Sequence, residues 1–211
     1  MEASEILWYK ETIGPEVVRT LHDLRQSLVL TSFYLAGGTG LALRLGHRRS
    51  ADLDFFTFEP FREDALIQKV QNVAGFSLVA KEVGTLHAHF GETKVSFLTF
   101  PYPLLFPCRA FLDVNVADPR DIACMKVNAI AGRGPKRDFI DLYAVAHHHS
   151  LPQILEWFKE KFALANYSMM HVLKSLTYFE DAEKDPVPNM LRALSWEEVK
   201  AFFTREVPLV L

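Results

Sequence analysis

The spacing of hydrophobic residues divides the chain into two parts of different character. Apolar residues recur at helical spacing from Pro15 to about Leu28, and further helices are predicted at about 39–45 and 62–74. Apolar runs predict strands at 32–36, 52–58, 76–83, 85–90 and 93–100, with a hairpin across Gly91 and Glu92. Helices and strands that alternate before a run of strands predict an α/β (α+β) fold for this part.

From about residue 118 the pattern becomes mostly helical. Asp118 before Pro119 is a typical N-terminal signal for a helix to about 132, and helices follow at about 136–148, 151–162 and 169–178. Ser195 and Glu198 form a capping box that opens a last helix, and the polar segment 180–189 predicts a connector. The expected organisation is an α/β domain over 1–117 and a helical domain over 118–211.

Composition limits the kinds of protein that this chain can be. About half of its 211 residues are hydrophobic, and its formal net charge of -3 provides no global basic field, so any contact with nucleic acid must come from a local patch. The two cysteines fit neither a disulfide framework nor a zinc pattern, which favours a reducing compartment. With no signal-like N-terminus and no long apolar window, we expect a cytoplasmic protein without a membrane segment.

The candidate chemistry is concentrated in YLAGGTGLALRLGHRRSADLDFFTF, residues 34–58. Asp52 and Asp54 are two apart in a predicted strand, so their side chains project from one face, while Leu53 points the other way. Two adjacent carboxylates repel each other unless a cation lies between them, and hard divalent cations such as Mg²⁺ prefer oxygen ligands. The pair therefore predicts a metal site.

The glycines of the same stretch predict a phosphate site. Gly37 and Gly38 would let the backbone pass close to a ligand, and Thr39 opens a helix whose N–H groups favour phosphate. A Gly-Gly alone is usually a turn, and an Asp-x-Asp alone is usually a solvated loop or a helix cap. Their combination is more specific, whereas no P-loop is present and the dinucleotide fingerprint is weak.

A second charged block lies on the predicted helices at 118–148. Lys126 and Arg133 share one helix face, Asp138 and Asp141 share another, and Arg137 can pair with Asp141 one turn further along. The alternative is that all five form a surface ion-pair network, which contributes little stability.

Two other groups of residues each allow two interpretations. His87 and His89 share one strand face and either bind a metal or form a polar strand surface. A basic cluster either steers nucleotide or RNA toward the aspartates or solvates a turn, and it consists of Arg44, His47, Arg48 and Arg49.

Two motifs together resemble a known family. GGT, then twelve residues, then DLDF resembles the signature of the DNA polymerase beta-like nucleotidyltransferase superfamily. With MKVNAIAGRGPKRDFIDLYAV, residues 125–145, the chain more closely resembles the AbiEii/AbiGii toxins of abortive-infection and toxin–antitoxin systems. The resemblance implies a mixed sheet that carries the site and a helical part closing over it. It also implies Mg²⁺- or Mn²⁺-dependent transfer of a nucleoside monophosphate from an NTP to RNA, such as tRNA, or protein, and a cognate antitoxin.

The resemblance assigns roles by position. Asp52 and Asp54 match the metal carboxylates, Lys126 matches a lysine that holds triphosphate, and the last acidic position falls on Asp138 or Asp141. The expected catalytic residues are Asp52, Asp54, Lys126, Asp138 and Asp141. The expected nucleotide-binding residues are Gly37, Gly38, Thr39, Arg49, Ser50 and Lys126.

One departure from the superfamily concerns a third acid, which its members commonly carry on a neighbouring strand. The strand TKVSFLTF has Ser96 at the expected position. Three explanations remain at this point: Asp113 supplies the acid, the site works with one tightly held metal, or the protein is a non-catalytic nucleotide- or partner-binding module. The sequence identifies neither the preferred NTP nor the acceptor.

Overall fold

The computed structural model describes residues 7–210, so residues 1–6 and 211 of the predicted domains lie outside the described residues. The α-helices are α1 Pro15–Gln26, α2 Gly37–Leu45, α3 Glu63–Val70, α4 Pro119–Gly132, α5 Lys136–Ala146, α6 Leu151–Lys161, α7 Met169–Ser175, α8 Glu180–Glu183 and α9 Trp196–Glu206. The strands are β1 Tyr34–Leu35, β2 Leu53–Thr57, β3 Phe76–Glu82, β4 Thr85–Phe90, β5 Thr93–Thr99, β6 Arg109–Phe111 and β7 Val114–Val116. The predicted α/β fold is confirmed.

The strands form one mixed sheet in the order β3-β4-β5-β2-β1-β7-β6. β2 lies antiparallel to β1 and parallel to β5, so the strand that contains Asp54 and begins directly after Asp52 occupies the centre of the sheet. β4 and β5 form the predicted antiparallel hairpin, in which Phe90 pairs with Thr93. A central strand has neighbours on both sides, and these fix where its side chains point.

The two faces of the sheet differ in polarity. Leu53 and Phe55 alternate with Asp54 and Phe56 along β2, and the first two are fully buried in a core with α1 and α3. The other face is covered by the helical part, whose aromatic core includes Phe139, Phe158 and Phe203. Tyr34 and Leu41 belong to that second core, and the domain boundary at 117/118 stays a prediction.

A fully buried ion pair ties the segment between β5 and β6 to the helical part. The Asp121 carboxylate on α4 accepts hydrogen bonds from the backbone N–H groups of Leu105 and Phe106, at 3.0 and 2.9 Å, and lies 2.7 Å from the Lys161 ammonium on α6. Lys161 also donates to the carbonyl of Pro103 at 2.5 Å. Because each charge is paired and hydrogen-bonded, its burial is tolerated.

Several predicted elements differ from the structure, and the helices predicted at 62–74 and 169–178 end earlier, at Val70 and Ser175. The strand at 32–36 shrinks to two residues because 29–32 form a 3-10 turn after Leu28, which has a left-handed φ of 57°. Helix α2 begins at Gly37 instead of Thr39, and the connector opens with the short helix α8. Among the described residues, the structure contains no helix that is both long and apolar enough to span a membrane.

Candidate active site

A cleft of about 980 Å³ lies between the polar face of the sheet and helices α4 and α5. The sheet contributes its floor through β2, β5 and β4, and the segment 185–188 closes one side. Of the predicted site residues, the cleft is lined by Gly37, Gly38, Arg49, Ser50, Asp52, Asp54, Lys126 and Asp138. The structure thus gathers residues from the two sequence blocks into one cavity.

Asp52 and Asp54 lie together at the floor of the cleft, as predicted from their spacing. Burial raises the pKa of Asp54 above its ordinary value, and the Asp52 carboxylate adds to this, while a hydrogen bond from Ser96 and the charge of Lys126 oppose it. Within residues 7–210, no ion pair involves either carboxylate, and no cluster of three metal-ligating side chains occurs. Two half-buried carboxylates of this kind are hard oxygen donors that fit Mg²⁺ or Mn²⁺, with the remaining ligands left to water and phosphate.

The two glycines of the GGT motif are required for different reasons. Gly37 has a φ of 61°, and a β-carbon there would lie 2.7 Å from Oδ2 of Asp54. At Gly38 a β-carbon would overlap the guanidinium of Arg48, which passes directly beneath the start of α2. The glycines therefore make room for two charged side chains of the site as well as for the backbone approach that the sequence predicts.

Thr39 has a different place from the one expected. Its side chain is buried and is not among the groups that line the cleft; its hydroxyl donates to the carbonyl of Asp52 and lies 2.8 Å from the Ser50 hydroxyl. The side chain thus holds the segment that leads into β2. Contact between the Thr39 hydroxyl and phosphate is not supported by this position.

Gly38→Ala is expected to destabilise the protein by about 1–3 kcal/mol, the usual cost of overpacking. Arg48 cannot move aside cheaply, since its Nε and Nη2 atoms are bound to Asp141 and its Nη1 donates to the carbonyl of Arg49. Thermal unfolding of the purified variant measures the effect. Gly132→Ala is the matched control, because a β-carbon there meets nothing within 4 Å; a Gly38 variant as stable as this control would contradict the packing argument.

The second charged block is a buried network. Lys126 lies 2.5 Å from Asp138 and 2.7 Å from Asp141, and Arg48 and His47 contact the Asp141 carboxylate at 2.7 and 2.8 Å. Burial alone would raise the pKa of Asp141, but Lys126 and Arg48 hold it well below its ordinary range. Burial likewise opposes charge on Lys126, yet the two carboxylates raise its pKa.

This network corrects three expectations. The five residues do not form a surface network, since Lys126, Asp138 and Asp141 are all buried. Arg137 does not pair with Asp141, whose two oxygens are taken by other cations, and Arg137 lines the cleft instead. Asp141 is fully buried and does not line the cleft, and it contacts the cleft residues Arg48 and Lys126 instead.

Four cations of the cleft have no carboxylate partner in the described part of the chain: Arg49, Lys94, Arg133 and Arg137. Only Arg49 was predicted to bind nucleotide. Lys94 lies two residues before Ser96 on β5, and strand alternation identifies it as a cleft residue once the role of β5 is known. These side chains make the cleft attractive to a polyanion.

The connector at 180–189 forms one wall of the cleft. Its polar sequence did not predict this role. The Arg49 N–H donates to the carbonyl of Asn189 at 2.8 Å, and the Leu191 N–H donates to the carbonyl of His47 at 3.0 Å. At the other end, the Lys136 N–H donates to the Asp185 carboxylate at 3.0 Å. Pro186 and Pro188 are thereby held against the cleft.

Ser96 stands beside Asp54 on the adjacent parallel strand, where the sequence placed the missing acid. Asp113 does not replace it. Asp113 lies at the turn between β6 and β7 with a left-handed φ of 59°, largely exposed, and pairs with Arg25 at 2.7 Å. The hypothesis that Asp113 is the third metal ligand is therefore wrong.

Comparison with known proteins identifies relatives of this chain and of its fold. The family model described as nucleotidyl transferase AbiEii toxin, type IV toxin–antitoxin system, matches residues 19–104 and 82–210. The chain is 37% identical over 185 residues to the uncharacterized protein aq_aa25 of Aquifex aeolicus (strain VF5), which covers 85% of this chain and 88% of that protein.

Two solved structures are similar to the whole fold. The nucleotidyltransferase toxin MenT4 of Mycobacterium tuberculosis H37Rv superposes with a TM-score of 0.55 and 16% identity over 92% of this chain and 86% of that chain. A putative nucleotidyltransferase of H. pylori superposes with a TM-score of 0.51 and 16% identity over 93% and 95%. At 16% identity, these two comparisons show similarity of fold alone.

Proposed function

The chain belongs to the AbiEii family of nucleotidyltransferase toxins, and we propose that it transfers a nucleoside monophosphate from an NTP to a hydroxyl of an RNA, such as tRNA, or of a protein. The observation that carries this proposal is the pair Asp52 and Asp54, two carboxylates without an ionic partner in the described residues, at the floor of a cleft rich in unpaired cations. Such a site suits a metal-bound triphosphate.

The cleft residues divide into groups with separate tasks. Asp52 and Asp54 would hold the cation, which when bound would neutralise the triphosphate and orient the α-phosphate. The N–H groups at the start of α2, together with Arg49 and Ser50, would bind the phosphates, since a helix N-terminus favours anions. Arg133 and Arg137 supply further positive charge from the helical side.

Lys126 lines the cleft but is already bound to two carboxylates, so its charge toward the triphosphate is largely compensated. We propose that Lys126 and Asp138 together stabilise the wall of the cleft against which the nucleotide would lie. The side chain of Lys126 remains within the cavity, which keeps it available for one phosphate contact.

The family description refers to a type IV toxin–antitoxin system. We propose on that basis that a cognate antitoxin antagonises this chain.

Label transfer tests the proposed activity. Incubated with each α-labelled NTP, Mg²⁺ and a pool of small RNA, the wild-type protein is expected to move label to RNA, or to protein when a lysate replaces the RNA. Asp52→Asn is the control that should abolish transfer.

A second outcome would favour the non-catalytic module. The observation that supports this alternative is that Ser96, and not an acid, lies beside Asp54. Retention of labelled NTP on the protein, without transfer to any acceptor and without release of pyrophosphate, would contradict the proposed activity.

A further inference from the structure

The floor of the cleft changes from polar to apolar along two parallel strands. Asp54 on β2 is the register partner of Ser96 on β5. Two residues further along both strands, Phe56 is the register partner of Leu98. All four side chains line the cleft, so a polar row and an apolar row lie side by side, roughly 6.5 Å apart along the strands.

The polar part of the floor extends in the opposite direction from the apolar row. Asp52 and Lys94 line the cleft and lie directly before the first paired residues of β2 and β5. Arg49 and Ser50, which also line it, precede Asp52 in the chain. This end of the cleft therefore combines carboxylates with cations, which suits a metal ion and phosphate groups.

The apolar end is built on two aromatic rings that their neighbours hold in place. Phe56 and Phe100 line the cleft and are half-buried, and their ring centroids lie 5.7 Å apart. Tyr34 stacks on Phe56 at 6.0 Å, and Phe162 packs edge-on against Phe100 at 6.0 Å. Met125 of α4 lines the same cleft from the helical side. These contacts keep an apolar surface beside the polar floor, where a flat apolar group of a ligand would gain by covering it.

Resting on the proposed function, we propose that Phe56 and Phe100 form the subsite for the base of the NTP. A triphosphate whose α-phosphate lies at Asp52 and Asp54 carries its base one ribose away, a distance comparable with the spacing of the two rows. Stacking of a base on an aromatic ring is favourable for every base, because each has a π-face. The two phenylalanines therefore fix the position of the nucleoside and leave the choice of base to other groups.

The order of polarity along the strands favours the NTP over the acceptor as the occupant of this subsite. The base of an NTP is tethered to its α-phosphate at a fixed distance, so phosphates at the polar end place the base at the apolar end. A macromolecular acceptor has to enter through the mouth of the cleft, whereas Phe56 and Phe100 belong to its floor. A protein hydroxyl, moreover, brings no base with it.

Binding of two magnesium complexes to the full-length protein tests the subsite, with calorimetric titration as the measurement. One ligand is the α,β-methylene analogue of the NTP that the wild type binds most tightly, and the other is ribose 5-triphosphate, which carries no base. Phe56→Leu and Phe100→Leu keep an apolar side chain but remove the flat ring. Each is expected to weaken binding of the NTP analogue by about 10-fold, within the range of base–aromatic stacking, and to leave ribose 5-triphosphate binding unchanged.

Phe58→Leu is the matched control, because Phe58 lies two residues beyond Phe56, is 52% exposed and is not among the residues that the structure places around the cleft. Its affinity for both ligands should equal that of the wild type. Binding of ribose 5-triphosphate also reports folding, since a variant that keeps it has kept the phosphate end of the site.

Two binding results would overturn the subsite: unchanged affinity for the NTP analogue in both leucine variants, or an equal loss of both ligands, which would mean that the rings support the site without contacting a base. A higher KM for acceptor RNA with unchanged NTP affinity would assign the rings to the acceptor and overturn the proposal as well. The proposed function fails separately. A wild type that binds the NTP analogue through both rings but transfers no label would overturn that function and support the subsite, whereas an active wild type whose NTP affinity is indifferent to both rings overturns the subsite alone.

Discussion

Asp54→Asn is expected to abolish metal-dependent transfer and, at the same time, to make the metal-free protein more stable at neutral pH. The side chain is isosteric, so the packing beside Ser96 is kept while a metal ligand is lost. The gain in stability follows from burial next to Asp52, which raises the pKa of Asp54 and makes its charged form unfavourable in the folded state. The transfer assay and thermal unfolding in a chelator measure the two effects.

The sign of the stability effect depends on pH. A carboxyl whose pKa is raised by folding binds its proton more tightly in the folded state, so ionisation costs stability as pH rises above the unfolded value of about 3.9. The advantage of Asp54→Asn should therefore be full above the folded pKa of Asp54 and absent below about pH 3.9. Added Mg²⁺ should stabilise the wild type by mass action and leave the variant unaffected.

Asp113→Asn is the matched control, since this carboxylate lies at a surface turn and pairs with Arg25 outside the cleft. It should retain full transfer activity. An Asp54→Asn protein that is less stable than the wild type in chelator, or that still transfers label, would show that Asp54 is not half of a metal site.

The sequence alone predicted the features that depend on residues close to one another in the chain. The spacing of Asp52 and Asp54, the glycine pair before a helix and the hairpin at Gly91 are all short-range features, and strand alternation or turn chemistry fixes each of them. The position of Ser96 beside Asp54 followed from the family pattern. The two aspartates, the hairpin and Ser96 appear in the structure where they were predicted, whereas α2 begins two residues earlier, at Gly37.

The parts that could not be predicted depend on contacts between distant segments. Arg48 was assigned to a basic cluster that either steers nucleotide or RNA or solvates a turn. It is instead buried, because Asp141, 93 residues away, accepts two of its N–H groups. The connector looked like an ordinary polar loop, and only its backbone hydrogen bonds to His47 and Arg49 make it a wall of the cleft. Sequence periodicity carries no information about such pairings.

Asp141→Asn is expected to be the most destabilising single substitution in the buried network, by about 3–5 kcal/mol. Loss of this carboxylate leaves Arg48 and Lys126 charged and buried with one partner fewer each, and the variant amide has only one oxygen to accept their hydrogen bonds. For a chain of this size the unfolding midpoint should fall by roughly 6–20 °C. Glu156→Gln, which breaks the exposed pair with Lys159, is the control and should show only a small fraction of that shift.

The dependence of this effect on pH distinguishes the ion network from simple loss of packing. The pKa of Asp141 is well below its ordinary value in the folded state, so its stabilisation is complete above the unfolded pKa of about 3.9 and is lost as pH falls through the folded pKa. The difference in free energy of unfolding between wild type and Asp141→Asn should therefore be constant at neutral pH and shrink below about pH 4. A difference that stays the same down to pH 2 to 3 would show that Asp141 contributes through shape and not through charge, and Arg48 would then have to owe its position beneath Gly38 to packing alone.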